Sequence, residues 1–142
     1  MVNINKDYPS KRGFIVYVLL AVLIVIEISY FFNGLYLSGI LCLGLTGVIV
    51  FPIVFNTHYT IYTDGTLSIK CGFFVNLAIP VADIKKIAPT NSILSAPALS
   101  LDRLELFYGQ HDSVVISPVN KDDFIAELQN INPAIGYIPK AV

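Results

Sequence analysis

The sequence predicts a helical membrane hairpin followed by a small β-rich domain, in which six short strands and a C-terminal helix form a strongly bent sheet or open barrel. Three observations predict it. Of 142 residues, 55% are hydrophobic and 13% are charged, about half the charge of an ordinary soluble chain. The apolar excess is concentrated, because between Phe14 and Phe55 the only ionisable carboxylate or amine is Glu27. From Asn56 onward the composition is that of a small globular domain, and the apolar period changes to two.

Phe14 to Phe32 and Leu35 to Phe55 are the two apolar runs, of nineteen and twenty-one residues, each long enough to cross a hydrocarbon core about 30 Å thick. As one helix they would extend about 63 Å at 1.5 Å per residue, so the chain must reverse between them. Asn33-Gly34 suits the reversal, since both residues tolerate the left-handed conformation that ends helices. Lys11-Arg12 before Phe14 to Ile26 also has the charge order of a cleavable signal peptide. The bulk of Glu27 to Phe32 offers no small-residue cleavage site and a second span follows, so a retained hairpin is expected. Lys6, Lys11 and Arg12 precede the first run and the connecting loop is uncharged, which places both termini in the cytoplasm of a two-span cell-membrane protein.

Small residues recur along both runs, Ala21, Val25 and Ser29 on the first and Ser38, Cys42 and Thr46 on the second, with Gly39 and Gly47 beside them. Such stripes let helices approach closely in lipid, and they are the expected packing faces. Glu27 would then lie roughly 200° around the first helix from its stripe. A carboxyl there is costly. It is expected either to be protonated or to reach outer headgroups, or else to be an intramembrane contact with another subunit or helix.

In the second half, Tyr59, Ile61 and Thr63 alternate with His58, Thr60 and Tyr62, which predicts a strand. Asp64-Gly65 makes a two-residue hairpin turn into a second strand carrying Leu67, Ile69 and Cys71. Gly72 punctuates, and Phe73, Val75, Leu77 and Ile79 alternate in a third strand that Pro80 ends. Ile84 to Ala88 reads as a fourth strand with Lys85 and Lys86 at its surface, and Pro89 to Ser100 as a loop. Leu101 to Tyr108 is a fifth, with Leu104 and Leu106 on one face and Arg103 and Glu105 on the other; Ser113 to Ser117 is a sixth. Asn120 is a candidate N-cap, Asp122 and Asp123 suit a first helical turn, and Phe124, Ile125 and Leu128 form an apolar stripe before Asn130 and Pro133.

Several of these stretches together resemble the YyaB-like bacterial pleckstrin-homology (PH) domain: Tyr59-Thr-Ile-Tyr-Thr-Asp-Gly-Thr-Leu67, Ile79-Pro80 with Ile84-Lys-Lys-Ile87, Ser95-Ala-Pro-Ala-Leu-Ser-Leu-Asp-Arg-Leu104, Ile116-Ser-Pro118, Phe124-Ile125 and Asn132-Pro133. The resemblance covers about residues 57 to 133 and is most specific over Ser95 to Leu104. It implies a PH-like split barrel of about six to seven strands closed by one C-terminal helix, commonly carried behind membrane helices, in a family without an established activity. PH domains that bind phosphoinositides carry a basic loop between their first two strands. Here that loop is the short, acidic Asp64-Gly65, which argues against headgroup recognition by that route. The expected organisation is a cytoplasmic segment 1–13, the hairpin 14–55, the PH-like domain 57–133 and a tail 134–142.

No pattern for catalysis, cofactor or metal binding is visible, and no enzymatic activity is expected. From Asn56 onward six basic and eight acidic side chains leave a net −2, which argues against a nucleic-acid partner. Cys42 and Cys71 would sit in different solvents and are not expected to pair. The expected partners are the bilayer and a protein or further copy of the chain; the candidate contact surface is Ile93, Leu94 and Leu99, the apolar residues of the Pro89 to Ser100 loop, which are otherwise expected to fold back and cover the sheet. The alternative is an anionic-lipid contact through Lys85, Lys86 and Arg103, which are otherwise expected, with Lys70, to form a solvated face.

Overall fold

The computed structural model describes residues 5–91 and 98–139. Two helices, α1 (Phe14–Phe32) and α2 (Tyr36–Phe55), form the hairpin, and both are long and apolar enough to cross a membrane. They reverse where the sequence predicts: Gly34 takes a φ of 71°, and the Asn33 side chain donates to the Ser29 carbonyl at 2.8 Å.

The packing faces are only half as expected. On α2 the small residues Gly39, Cys42 and Thr46 do turn toward α1, whereas Ser38 and Gly47 face outward. On α1 the inward face is Val16, Leu20, Leu23, Glu27 and Tyr30, and the stripe of Ala21, Val25 and Ser29 faces outward. Large side chains of one helix thus seat on small ones of the other. A Cβ at Gly39 would lie 3.3 Å from that of Tyr30. One small stripe suffices for a close approach, and the heptad spacing of the five α1 residues is what aims them at it.

Among the described residues the strands form two four-stranded sheets. The first has the order β1-β2-β3-β4, with β1 (Lys6–Pro9), β2 (Thr57–Ile61), β3 (Thr66–Cys71) and β4 (Val75–Pro80), all antiparallel. The second has the order β7-β6-β5-β8, with β5 (Ile84–Thr90), β6 (Arg103–Tyr108), β7 (Asp112–Ile116) and the short parallel β8 (Gly136–Tyr137). A 3-10 turn, Val81–Asp83, joins the sheets on one side. On the other, Ser10 bridges Pro118, and the Lys11 amide donates to the Ser117 carbonyl at 2.7 Å.

Two segments expected to lie outside the domain belong to it. Residues 6–9 form β1, which pairs with β2 from Lys6 opposite Ile61 to Pro9 opposite His58, and residues 136–137 form β8 on the edge of β5. The hairpin is therefore an insertion between the first two strands of the barrel. Neither segment is long enough to show a period, so its partner strand decides its structure.

Helix α3 (Lys121–Ile131) plugs the barrel with Phe124 and Leu128, both fully buried. Tyr59 and Tyr8 meet Phe124 edge-on, at 6.3 and 5.1 Å between ring centroids. Ile84 and Ile87 are both buried although three residues apart, because the ladder with β6 shifts register at Lys85 and turns that lysine outward. Asn120 occupies the N-cap position, but its side chain caps no amide. At the other end of the helix the C-cap residue Asn132 donates its Nδ2 to the Val81 carbonyl at 3.0 Å.

Candidate functional site

The hairpin meets the barrel through short connections, Asn56 alone after α2 and the four residues 10–13 before α1, of which Ser10, Lys11 and Gly13 are hydrogen-bonded to the barrel. Phe55 ends α2 and Thr57 begins β2; the Thr57 hydroxyl donates back to the Ile53 carbonyl at 2.6 Å, closing the helix as the strand starts. On the other side, the Gly13 amide donates to the Leu99 carbonyl at 2.9 Å just before α1 begins. Val16, Val54 and Leu99 form a small buried cluster of their own under this junction, with Leu20, Val50 and Ile53 against it. Arg12 closes the ring from outside, its guanidinium over the Phe55 ring.

Polar ties brace the junction from the barrel side. The buried Tyr59 hydroxyl donates to Ser10 Oγ at 3.1 Å and accepts the Ser117 amide at 3.1 Å, linking β2 to the segments that follow β1 and β7. Burial raises the Tyr59 phenol above its ordinary range. Asp102 receives both Lys121 and Lys11 (the latter at 2.9 Å), and these two cations hold its carboxyl below the usual range. Tyr8 donates to Asp123 Oδ2 at 2.7 Å; burial, then that bond, raises its phenol. Asp123 thus holds β1 to α3, a role that its expected place in the first helical turn did not reveal.

The β3–β4 turn also reaches the junction. Gly72 has a φ of 57° and donates its amide to the Asn56 carbonyl at 3.2 Å. A Cβ there would stand 3.2 Å from the Ile53 backbone nitrogen, so this position needs glycine for conformation and for space. Phe73, expected within the third strand, lies in this turn and is 77% exposed, with Phe74 beside it at 63%. Two consecutive aromatics cannot both face a core across a strand, and that adjacency was the available signal.

The residues singled out from the sequence are dispersed. Ile93 and Leu94 lie outside the described residues. Leu99 is buried in the junction cluster and presents no surface, because its strand connection passes directly under the helices. Arg103 is also buried, its Nε donating to the Ser100 carbonyl, so it does not join Lys85 and Lys86 in a basic patch. Lys86 stacks on Phe107 at 5.3 Å. Both lysines lie at the start of β5, near the 3-10 turn Val81–Asp83 and at the end of the strand away from Thr90, which pairs with Arg103. Glu27 faces α2 rather than outward, both carboxylate oxygens buried beside the Cys42 thiol. His58 is the second residue of β2 and His111 occupies an exposed turn. Cys71 is buried, its Sγ 3.3 Å from the Thr57 hydroxyl oxygen. Among the described residues no three His, Cys, Asp or Glu side chains are grouped to hold a metal.

Two bent sheets plugged by a C-terminal helix, entered through a pair of apolar helices, define a PH-like domain with an attached helical hairpin. The family model for the bacterial PH domain matches residues 57–132, more than half of the chain, and the chain belongs to that family, a match compatible with the YyaB-like resemblance. No curated protein and no solved structure matches it. The match begins at β2, so β1 and the hairpin stand in front of the matched region while β1 completes its first sheet.

Proposed function

We propose that this protein is a non-enzymatic interaction or assembly module fixed at the inner face of the cell membrane. In this reading the hairpin crosses the bilayer twice, both termini are cytoplasmic, and the PH-like barrel binds a protein or further copies of the chain. One observation carries it: the hairpin is inserted between the paired strands β1 and β2. A barrel held at both ends of its anchor cannot swing as it would on a flexible linker, so it offers partners a fixed pose and a raised local concentration.

The positive-inside bias of Lys6, Lys11 and Arg12 supports the cytoplasmic side. Lipid sensing through Lys85, Lys86 and Arg103 is the weaker reading, since Arg103 is buried and the two lysines lie away from the hairpin. The test is the mass of the full chain after transfer from mild detergent into lipid nanodiscs, with chemical cross-linking beforehand. The proposal expects a homo-oligomer or a stoichiometric protein complex. A monomer with no associated protein contradicts it.

A further inference from the structure

The exposed aromatic pair in the β3–β4 turn has no role in the barrel core, and its position points to a ligand that surrounds the chain. Gly72 packs on the backbone at Pro52–Ile53, two to three residues before α2 ends at Phe55. At 1.5 Å per residue the turn therefore stands about 3–5 Å along α2 toward its apolar body. Phe51 and Phe55, on the same end of that helix, are also outward-facing, 60% and 54% exposed, with ring centroids 4.5 Å apart. From Cys71 to Ala82 the chain carries no charged residue.

The opposite flank of the junction is built alike. Leu101, 47% exposed in the connection before β6, lines an apolar hollow with Phe14, Ile15 and Val18 at the start of α1. Two barrel loops thus bring apolar side chains to the level of the two helix ends. Arg12 lies between those ends over Phe55, a cation placed where headgroups would meet it. Phe and Leu side chains at such a level are buried at the boundary between headgroups and acyl chains.

We infer that the Phe73–Phe74 turn inserts into the same bilayer leaflet that receives the hairpin, with Leu101 as a lesser contact on the other flank, so that the barrel is seated on the membrane. The inference rests on the membrane-spanning reading of the hairpin. Its occupant is the bilayer because the aromatic surface continues the apolar surface of α2 at the same level. The turn then acts as a third anchoring point, and it fixes which face of the barrel looks away from the membrane: the face bearing Asp64-Gly65 and the β6–β7 turn at Gly109–His111.

The sequence contains no tryptophan, so single tryptophans report without background. The full chain is reconstituted in vesicles whose lipids are brominated high on the acyl chains, with Phe73→Trp, Phe74→Trp, Phe51→Trp and Gln110→Trp as separate variants. The inference expects quenching and blue-shifted emission for Phe73→Trp and Phe74→Trp, close to that of Phe51→Trp, and neither effect for Gln110→Trp. Quenching at Phe51→Trp alone, with the two turn variants quenched instead by aqueous iodide, overturns the seating but leaves the hairpin in the bilayer. Absence of lipid quenching at Phe51→Trp as well removes the spanning reading and the seating together.

Discussion

The Arg12 guanidinium lies over the Phe55 ring, 4.8 Å from its centroid, and so joins the segment that leads into α1 to the last residue of α2. A cation on an aromatic face contributes about 0.5–1 kcal/mol when exposed. Arg12→Gln and Phe55→Leu should each lower the stability of the full chain in detergent micelles by about that amount. The double variant should lose less than the sum, because one contact is removed twice. Additive losses in thermal unfolding would show that the two residues act separately.

Tyr59→Phe keeps the ring against Phe124 and deletes the hydroxyl that joins Ser10 to Ser117. The Ser117 amide, on a residue with no exposure, loses that acceptor. The expected loss is about 1–3 kcal/mol, the usual cost of an unsatisfied buried group. It should appear as a lower unfolding midpoint in denaturant, with the oligomeric state unchanged.

Glu27 faces α2, so an outward contact with a partner helix is not what its carboxyl makes. Replacing a buried carboxyl by an apolar side chain of similar size removes the cost of desolvating it and is neutral or stabilising. Glu27→Leu should leave self-association unchanged and the hairpin at least as stable. Loss of the oligomer on sedimentation in detergent would restore the role in assembly that the sequence left open.

Acid should weaken the tie between α3 and the segment before α1. The Asp102 carboxyl is held below its ordinary value of 3.8 by Lys121 and Lys11, so its contribution is fully present above that value and fades as pH falls through the lower folded one. Half of the side chain is exposed, and solvent screening limits the effect to about 0.2–1 kcal/mol. Asp102→Asn should flatten the fall in stability at acid pH by that amount, read from unfolding midpoints between neutral pH and pH 3. An unchanged acid profile would assign the effect to other carboxyls.

Long periodic segments were legible in the sequence, and short or mixed ones were not. Lipid-length apolar runs and the alternation around Tyr59 to Cys71 announce themselves because many residues repeat one constraint. Lys6 to Pro9 offers only four residues, one of them proline, and becomes a strand because β2 leaves an edge for it. The α1 packing face was misread because small size was taken as the signal on both helices, whereas the pair needs it on one. Ile84 and Ile87 fit no simple period until the bulge at Lys85 is seen. The junction itself was invisible for the same reason: Arg12, Phe55, Gly72 and Leu99 are far apart in the chain, and only the fold brings them together.

Sidedness is the most direct test of the account. In a chain with Cys42 and Cys71 replaced by alanine, Asn33→Cys at the hairpin turn and Gln110→Cys at the β6–β7 turn are exposed to a membrane-impermeant maleimide in intact cells. Asn33→Cys should label from outside, and Gln110→Cys only after the cells are permeabilised. Labelling of Gln110→Cys in intact cells, or protection of Asn33→Cys under the same conditions, would contradict a double crossing that leaves the barrel inside.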